Sequence, residues 1–113
     1  MASFKQVLIW SRDSMFIVIL KFGGNEALAA KLMEAHMACI KQGFDDGVFL
    51  VGGDIQPDLG GALIAHGVSR VELEKRISSD PFVVERVVDV EILEVNPRSM
   101  DKRLESILSG AVA

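Results

Sequence analysis

Residues 15 to 22 of the chain read MFIVILKF and run directly into a pair of glycines. The stretch is rich in β-branched and aromatic side chains and contains neither glycine nor proline, which is typical of a β-strand. Successive side chains of a strand point to opposite faces of its sheet. Phe16 and Val18 alternate with Ile17 and Ile19, so both faces of this strand are apolar. The segment therefore predicts a central strand with cover on both sides.

A helix is predicted next, over residues 25 to 43. Its inward stripe recurs at three- and four-residue steps and consists of Leu28, Leu32, His36, Cys39 and Ile40. Asn25 is suited to the N-cap position, and Gly43 is suited to ending the helix in the left-handed conformation. The period of the apolar residues thus changes from two residues to 3.6 residues at Gly23-Gly24.

Two short strands, over residues 48 to 51 and 62 to 66, are predicted to form a loose hairpin. The glycine pairs 52–53 and 60–61 between them are interpreted as turn and bulge glycines. Asp54, which follows the first pair, is interpreted as a turn residue.

The second half of the chain contains a helix, a strand and a C-terminal helix. Ser69 and Glu72 have the spacing of a capping box and predict a helix from about residue 70 to 79, which Asp80-Pro81 ends. Residues 83 to 95 contain a fourth strand. Ser99 is suited to capping a short helix near the C-terminus.

The predicted order β-α-β-β-α-β indicates an α+β, ferredoxin-like unit with sheet order 4-1-3-2. Two helices cover one face of such a sheet, yet Ile17 and Ile19 make the other face apolar as well. The C-terminal helix is one candidate for covering this face, but a second copy of the sheet is the better one, because an exposed apolar patch of more than a few hundred Å² marks an interaction surface. We therefore predict a homodimer in which two copies pack sheet to sheet.

Composition narrows the classes of function. The 113 residues suffice for one domain, and 12 Lys+Arg against 16 Asp+Glu give a net charge of −4, which disfavours nucleic acid as a partner. The single cysteine, Cys39, excludes an intrachain disulfide. The first apolar run, residues 7 to 10, is shorter than the roughly 7 to 15 residues of a secretory signal, and no apolar run is long enough to cross a bilayer. We expect a cytoplasmic protein without membrane contact.

From Met15 to Pro97 the chain resembles the YciI-like (YCII-related) family. The features that carry the resemblance are the MFIVILKF strand, His36 in the first helix, GVFLVGG at residues 47 to 53, GALI at residues 61 to 64 and DPF at residues 80 to 82. The resemblance implies a dimeric α+β barrel built from ferredoxin-like protomers, with residues 1 to 14 as an N-terminal extension and 98 to 113 as a C-terminal helix and tail. It also implies a site centred on His36 and Asp80.

The chain departs from the family pattern at two positions. Asp54 stands where the family usually has proline, and Leu32 and Met33 occupy the turn where it often has arginine. Recognition of an anionic substrate by that arginine is therefore not carried over to this chain.

His36 lies on the apolar stripe of its helix, so its ring is expected to face the sheet. An imidazole gives or takes a proton near neutral pH, and a carboxylate on the other ring nitrogen would fix its tautomer. We predict His36 and Asp80 as a catalytic pair for general acid/base chemistry without a cofactor, of lyase or isomerase type, on a small organic molecule. The structural alternative is a histidine bonded to a backbone carbonyl beside an aspartate that ends a helix.

Other residues admit further hypotheses. Cys39 is interpreted as a small buried thiol rather than a nucleophile. Asp54 and His66 end neighbouring strands and, with His36, form a conceivable metal set, although their spacing matches no strong metal motif, so no metal is predicted. The glycine pairs lack the patterns that bind phosphate.

Two other functions remain open at this point. The first is a noncatalytic dimer that binds a small ligand or supports another protein. The second is a dimeric-barrel oxygenase acting on an activated aromatic compound, for which the absence of tyrosine and the location of Trp10 outside the core domain give no support.

Overall fold

The computed structural model describes residues 14 to 108 as one sheet with helices packed against it. The strands are β1 (Met15–Phe22), β2 (Phe49–Ile55), β3 (Gly60–His66) and β4 (Val88–Val95). The helices are α1 (Ala29–Asp45), α2 (Arg70–Ser78), α3 (Pro81–Val84) and α4 (Lys102–Leu108), and a single 3₁₀ turn (Glu26–Leu28) precedes α1. No helix in this part of the chain has the length and apolarity needed to cross a bilayer.

The strands are ordered β2-β3-β1-β4, and all neighbours are antiparallel. This is the predicted order 4-1-3-2 read from the other edge, so the ferredoxin-like α+β fold is confirmed. Strand β1 is central, with β3 on one side and β4 on the other. The prediction that this strand is central is therefore confirmed.

The core lies on one face of the sheet. Phe16 and Val18 of β1 are fully buried there, in one cluster with Leu73 of α2 and Phe82 of α3, and Leu32 of α1 packs against this cluster. Pairs of strand residues opposite one another share a face. The side chains of β1 that alternate with Phe16 and Val18 point to the opposite face, which α1, α2 and α3 leave uncovered. The apolar ones among them are half-buried.

Helix α1 begins and ends later than predicted. Asn25 precedes the 3₁₀ turn and makes no side-chain cap; its side chain instead donates to the backbone oxygen of Glu85. Gly43 does not end the helix but lies inside it, and a Cβ at this position would overlap the ring of Phe49. The glycine is needed because α1 passes close to β2, and Gly47, at φ +75°, is the residue that takes the left-handed conformation.

The strands of the hairpin extend beyond their predicted limits, so the interpretation of Asp54 as a turn residue is wrong. Asp54 lies within β2, with its Cα opposite Gly61 of β3. The connection between the strands is shorter than predicted and contains Asp58, at φ 54°.

The end of α2 is followed by a helix that was not predicted. The capping box of Ser69 and Glu72 is formed as expected. Asp80 is the N-cap residue of the one-turn helix α3, whose first residue is Pro81. Proline is well tolerated at that position because the backbone N–H groups of the first helical turn have no partner within the helix, so the N–H that proline lacks is not needed.

The predicted C-terminal helix is present, but Ser99 does not cap it. The carboxylate of Asp101 accepts a hydrogen bond from the backbone N–H of Arg103, and α4 starts at Lys102. Leu108 is buried but lies outside the core cluster. Apart from Ser14, whose hydroxyl donates to Asn96 over 2.6 Å, the predicted N-terminal extension falls outside the described residues, as do residues 109 to 113 of the C-terminal tail.

Candidate functional site

His36 lies in the middle of α1, on the side of the helix that faces the sheet. Its side chain is 13% exposed. It therefore sits between core and solvent, as the position of the residue on the apolar stripe predicted.

Asp80 is 2% exposed and is the N-cap residue of α3. Its Oδ1 accepts a hydrogen bond from the backbone N–H of Phe82 over 2.8 Å, which is the capping interaction of a helix N-terminus. Its own backbone N–H donates to the carbonyl of Ile77 over 3.1 Å. These bonds leave the carboxylate little freedom to move.

The structure brings His36 and Asp80 together. The Nδ1 atom of His36 lies 2.8 Å from Oδ2 and 2.9 Å from Oδ1 of Asp80. Because an ionised carboxylate only accepts hydrogen bonds, Nδ1 carries the proton in this pair. In the neutral ring the lone pair is then on Nε2, which has no hydrogen-bond partner among residues 14 to 108 and is not among their buried unpartnered atoms.

Phe82 holds the imidazole from one side. The two rings are parallel to within 1°, and their centroids are 3.9 Å apart. Sequence reasoning did not single out Phe82 as a site residue, although it lies two positions after Asp80 in the DPF segment. The short helix α3 thus supplies both the carboxylate and the ring that orient His36.

A cavity of about 260 Å³ opens beside His36, between α1 and the β1–β3–β2 part of the sheet. Its walls are mainly apolar and include Leu20, Met37, Ile40, Phe44, Ala62 and Leu63. A concave, apolar site with a few polar groups is the usual form of a small-molecule site.

Glycines and Asp54 complete the cavity on the side of the sheet. Gly52, Gly53 and Gly61 belong to its lining, so the interpretation of these glycines as turn and bulge residues alone misses their position. Asp54 lines the same cavity as His36. The two glycine pairs are visible in the sequence. That they lie side by side at one cavity is not visible there, because it depends on the pairing of β2 with β3.

Cys39 lies one turn after His36 and close to Asp80. Burial raises the pKa of the Cys39 thiol, and the negative charge of Asp80 raises it further; the hydroxyl of Ser79 and the charge of Arg76 act in the opposite direction. A thiol with a raised pKa carries little of the reactive thiolate at neutral pH. This environment supports the interpretation of Cys39 as a packing residue.

His66 does not join His36. It is opposite Met15 in the β1–β3 pairing and therefore lies on the face of the sheet that α1, α2 and α3 leave uncovered. No group of three or more candidate metal ligands occurs among residues 14 to 108. The set of His36, Asp54 and His66 considered from the sequence is thus divided between the two faces.

Comparison with known proteins supports the fold. No protein-family model matches the chain, and no curated protein matches it in sequence. Among solved structures, the chain is similar to the 5-chloro-2-hydroxyhydroquinone dehydrochlorinase of Burkholderia phenoliruptrix, in complex with 2,5-dihydroxybenzoquinone. The TM-score is 0.62 at 18% sequence identity, and the match covers 79% of this chain and 97% of that one. At this identity the likeness establishes a common fold.

Proposed function

We propose that the protein is a cofactor-independent acid/base enzyme of lyase or isomerase type, acting on a small organic molecule in the cavity beside His36. The observation that carries the proposal is the hydrogen bond from Nδ1 of His36 to the buried Asp80, which leaves Nε2 as the nitrogen available to a substrate. A structural histidine bonded to a backbone carbonyl, the alternative drawn from the sequence, does not have this arrangement. The fold shared with a dehydrochlorinase adds support for this class of chemistry.

In the proposed mechanism, Nε2 of His36 takes a proton from an O–H or C–H group of the substrate. The electron pair released moves into the substrate's π system. In an elimination it expels a leaving group such as chloride, and the imidazolium later loses its proton to solvent. In an isomerisation, the imidazolium returns the proton to another atom of the substrate. Asp80 stabilises the imidazolium in both cases and keeps Nε2 in position.

We further propose that the chain is a member of the YciI-like family and works as a homodimer. The order of its motifs and the confirmed ferredoxin-like fold support membership. The apolar face opposite the helices supports the sheet-to-sheet dimer: Val51 is 60% exposed, Leu93 43% and Val95 36%, and they share this face with Ile17 and Ile64. A second copy would remove these side chains from water.

The test of activity uses the full chain and a panel of single-ring compounds. The panel includes 5-chloro-2-hydroxyhydroquinone, followed by chloride release, and enolisable cyclic ketones, followed by deuterium incorporation in D₂O. We expect turnover of at least one member, and loss of about 10²- to 10⁴-fold in kcat/KM in His36→Asn, since this is the usual contribution of a general base. His66→Asn is the matched control, because it removes the chain's other histidine from the opposite face.

Equal activity of His36→Asn and the unaltered protein would contradict the proposal. Binding of panel members without any turnover would favour the alternative of a noncatalytic dimer that binds a small ligand. The apolar lining of the cavity is compatible with that alternative, so binding and turnover are measured on the same samples.

A further inference from the structure

The carboxylate of Asp54 has no structural partner in the described part of the chain. Asp54 is exposed near the end of β2, and neither a hydrogen bond nor an ion pair joins its side chain to residues 14 to 108. Aspartate is disfavoured within strands. The Asp54 carboxylate is therefore available to water or to a bound molecule.

The cavity gives Asp54 a place in a binding site. Among residues 14 to 108, His36 and Asp54 are the two titratable residues that line the cavity, and no lysine or arginine of this part of the chain lines it. A bound molecule therefore meets one imidazole, already fixed by Asp80, and one free carboxylate, with apolar surface in between. This charge distribution is unfavourable for an anionic ligand.

The shape of the cavity restricts the ligand further. Gly61, which lies opposite Leu20 on the helix side of the sheet, contributes no side chain there, which allows a ligand to lie directly against the backbone. The volume of about 260 Å³ is below the roughly 300 to 1,000 Å³ of most drug-sized sites. A flat molecule with one ring matches both features.

We propose that Asp54 determines substrate specificity. It accepts a hydrogen bond from an O–H or N–H group of a planar, single-ring molecule that is neutral or cationic, and it excludes carboxylate and phosphate compounds. The inference rests on the proposed function in placing the substrate beside His36. Asp54 orients the ring, while the proton transfer belongs to His36.

Binding of three matched compounds tests this inference. Hydroquinone is neutral, 4-(aminomethyl)phenol is cationic and 4-hydroxybenzoate is anionic at pH 7.5, and each has one ring and a phenolic hydroxyl. Titrations are followed by the NMR shifts of the His36 imidazole. We expect the unaltered protein to bind the first two at least about tenfold more tightly than the benzoate, Asp54→Asn to reduce this ratio to about threefold or less, and Asp54→Lys to reverse it.

Asp58→Asn is the matched control. Asp58 is also exposed, lies in the loop after β2 and does not line the cavity, and asparagine tolerates its φ of 54°. The control should keep the ratio of the unaltered protein. A ratio unchanged in both Asp54 variants, or failure of the unaltered protein to bind hydroquinone and 4-(aminomethyl)phenol, would overturn the inference.

The titrations need no turnover, so the two proposals fail separately. Unchanged selectivity in the Asp54 variants, together with turnover that depends on His36, would remove the role of Asp54 and leave the proposed function intact. Selectivity that depends on Asp54, together with activity that His36→Asn does not change, would contradict the proposed function and leave the role of Asp54 in binding intact.

Discussion

Nδ1 of His36 and Oδ2 of Asp80 are 2.8 Å apart, although the residues are separated by 44 positions in the chain. The bond joins the middle of α1 to the N-terminus of α3, and the same carboxylate caps α3 through the N–H of Phe82. One buried group therefore links two helices and sets the tautomer of the imidazole. This double role can be separated by substitution.

Asp80→Asn should preserve the helix cap while removing the charge. Asparagine is as good an N-cap as aspartate, but its amide no longer requires the proton of His36 on Nδ1. We expect the neutral ring to lose its single tautomer and kcat/KM to fall by about 10²- to 10⁴-fold. The ¹⁵N shifts of the imidazole report the tautomer; a population still confined to Nδ1–H would contradict the assignment.

The His36–Asp80 bond should also contribute to stability. His36→Phe keeps a ring next to Phe82 but leaves Asp80 with one hydrogen-bond donor fewer, which we expect to lower the free energy of unfolding by about 1.5–3 kcal/mol. In a double-mutant cycle with Asp80→Asn, urea denaturation should give a coupling of about 0.5–3 kcal/mol. Strict additivity of the two substitutions would show that the contact adds no stability.

Cys39, the single cysteine of the chain, reports the charge of Asp80. Burial raises the pKa of its thiol, and Asp80 raises it further. Because iodoacetamide reacts with the thiolate, the rate of alkylation should rise at higher pH than in the unfolded chain. Asp80→Asn should move this rise to lower pH, and His66→Asn should not move it.

The raised pKa of Cys39 also gives the sign of its effect on stability. The folded state favours the neutral thiol. The stability that this adds is fully present below the pKa of the unfolded thiol, and it is lost as the pH rises through the pKa of the folded thiol. Alkylation profiles that coincide in the folded protein and in urea would contradict the shift.

The close approach of α1 to β2 predicts an unusual effect of alanine at Gly43. Alanine normally stabilises a helix interior by about 1 kcal/mol relative to glycine. At this position the Cβ would overlap the ring of Phe49, and we expect a net loss of about 1–3 kcal/mol in unfolding free energy, as in other overpacked sites.

Gly24→Ala is the control for this loss, because a Cβ there has no atom within 4 Å. Thermal denaturation should show a lower Tm for Gly43→Ala alone. Equal Tm values for the two variants would mean that α1 moves away from β2 without cost.

The proposed dimer can be tested with two valines of equal exposure. Val51 is 60% exposed on the face proposed to pack against a second copy, and Val71 is 61% exposed on α2. Val51→Glu places a charge in the proposed interface and should weaken dimerisation at least about tenfold, whereas Val71→Glu should leave it unchanged. Sedimentation velocity measures both, and a monomeric unaltered protein at micromolar concentration would overturn the dimer.

Much of the fold was predictable because local patterns carried it. The apolar alternation of residues 15 to 22, the stripe containing His36 and the capping box of Ser69 and Glu72 indicated the element types, and the handedness of crossovers then fixed the order of the sheet. The predicted limits of α1 were wrong because Gly43 was interpreted as the residue that ends the helix in the left-handed conformation. Its actual requirement is the space occupied by Phe49, a residue of another element.

The candidate site was predictable in part. The stripe placed His36 toward the sheet, and the family resemblance suggested Asp80 as its partner, but the contact with Phe82 and the place of Asp54 in the cavity had no local pattern. Periodicity records which side of an element faces inward. It does not record which side chains of distant elements meet there.

By itself, the amino-acid sequence determined the alternation of strands and helices, the inward position of His36 and the presence of a second apolar face, because each follows from spacing within a single element. Tertiary structure decided the His36–Asp80 bond, the stacking on Phe82 and the convergence of Asp54 with three glycines at one cavity. The reason is physical: each of these depends on strand register and on how closely helices pack, and both are set by contacts between residues far apart in the chain.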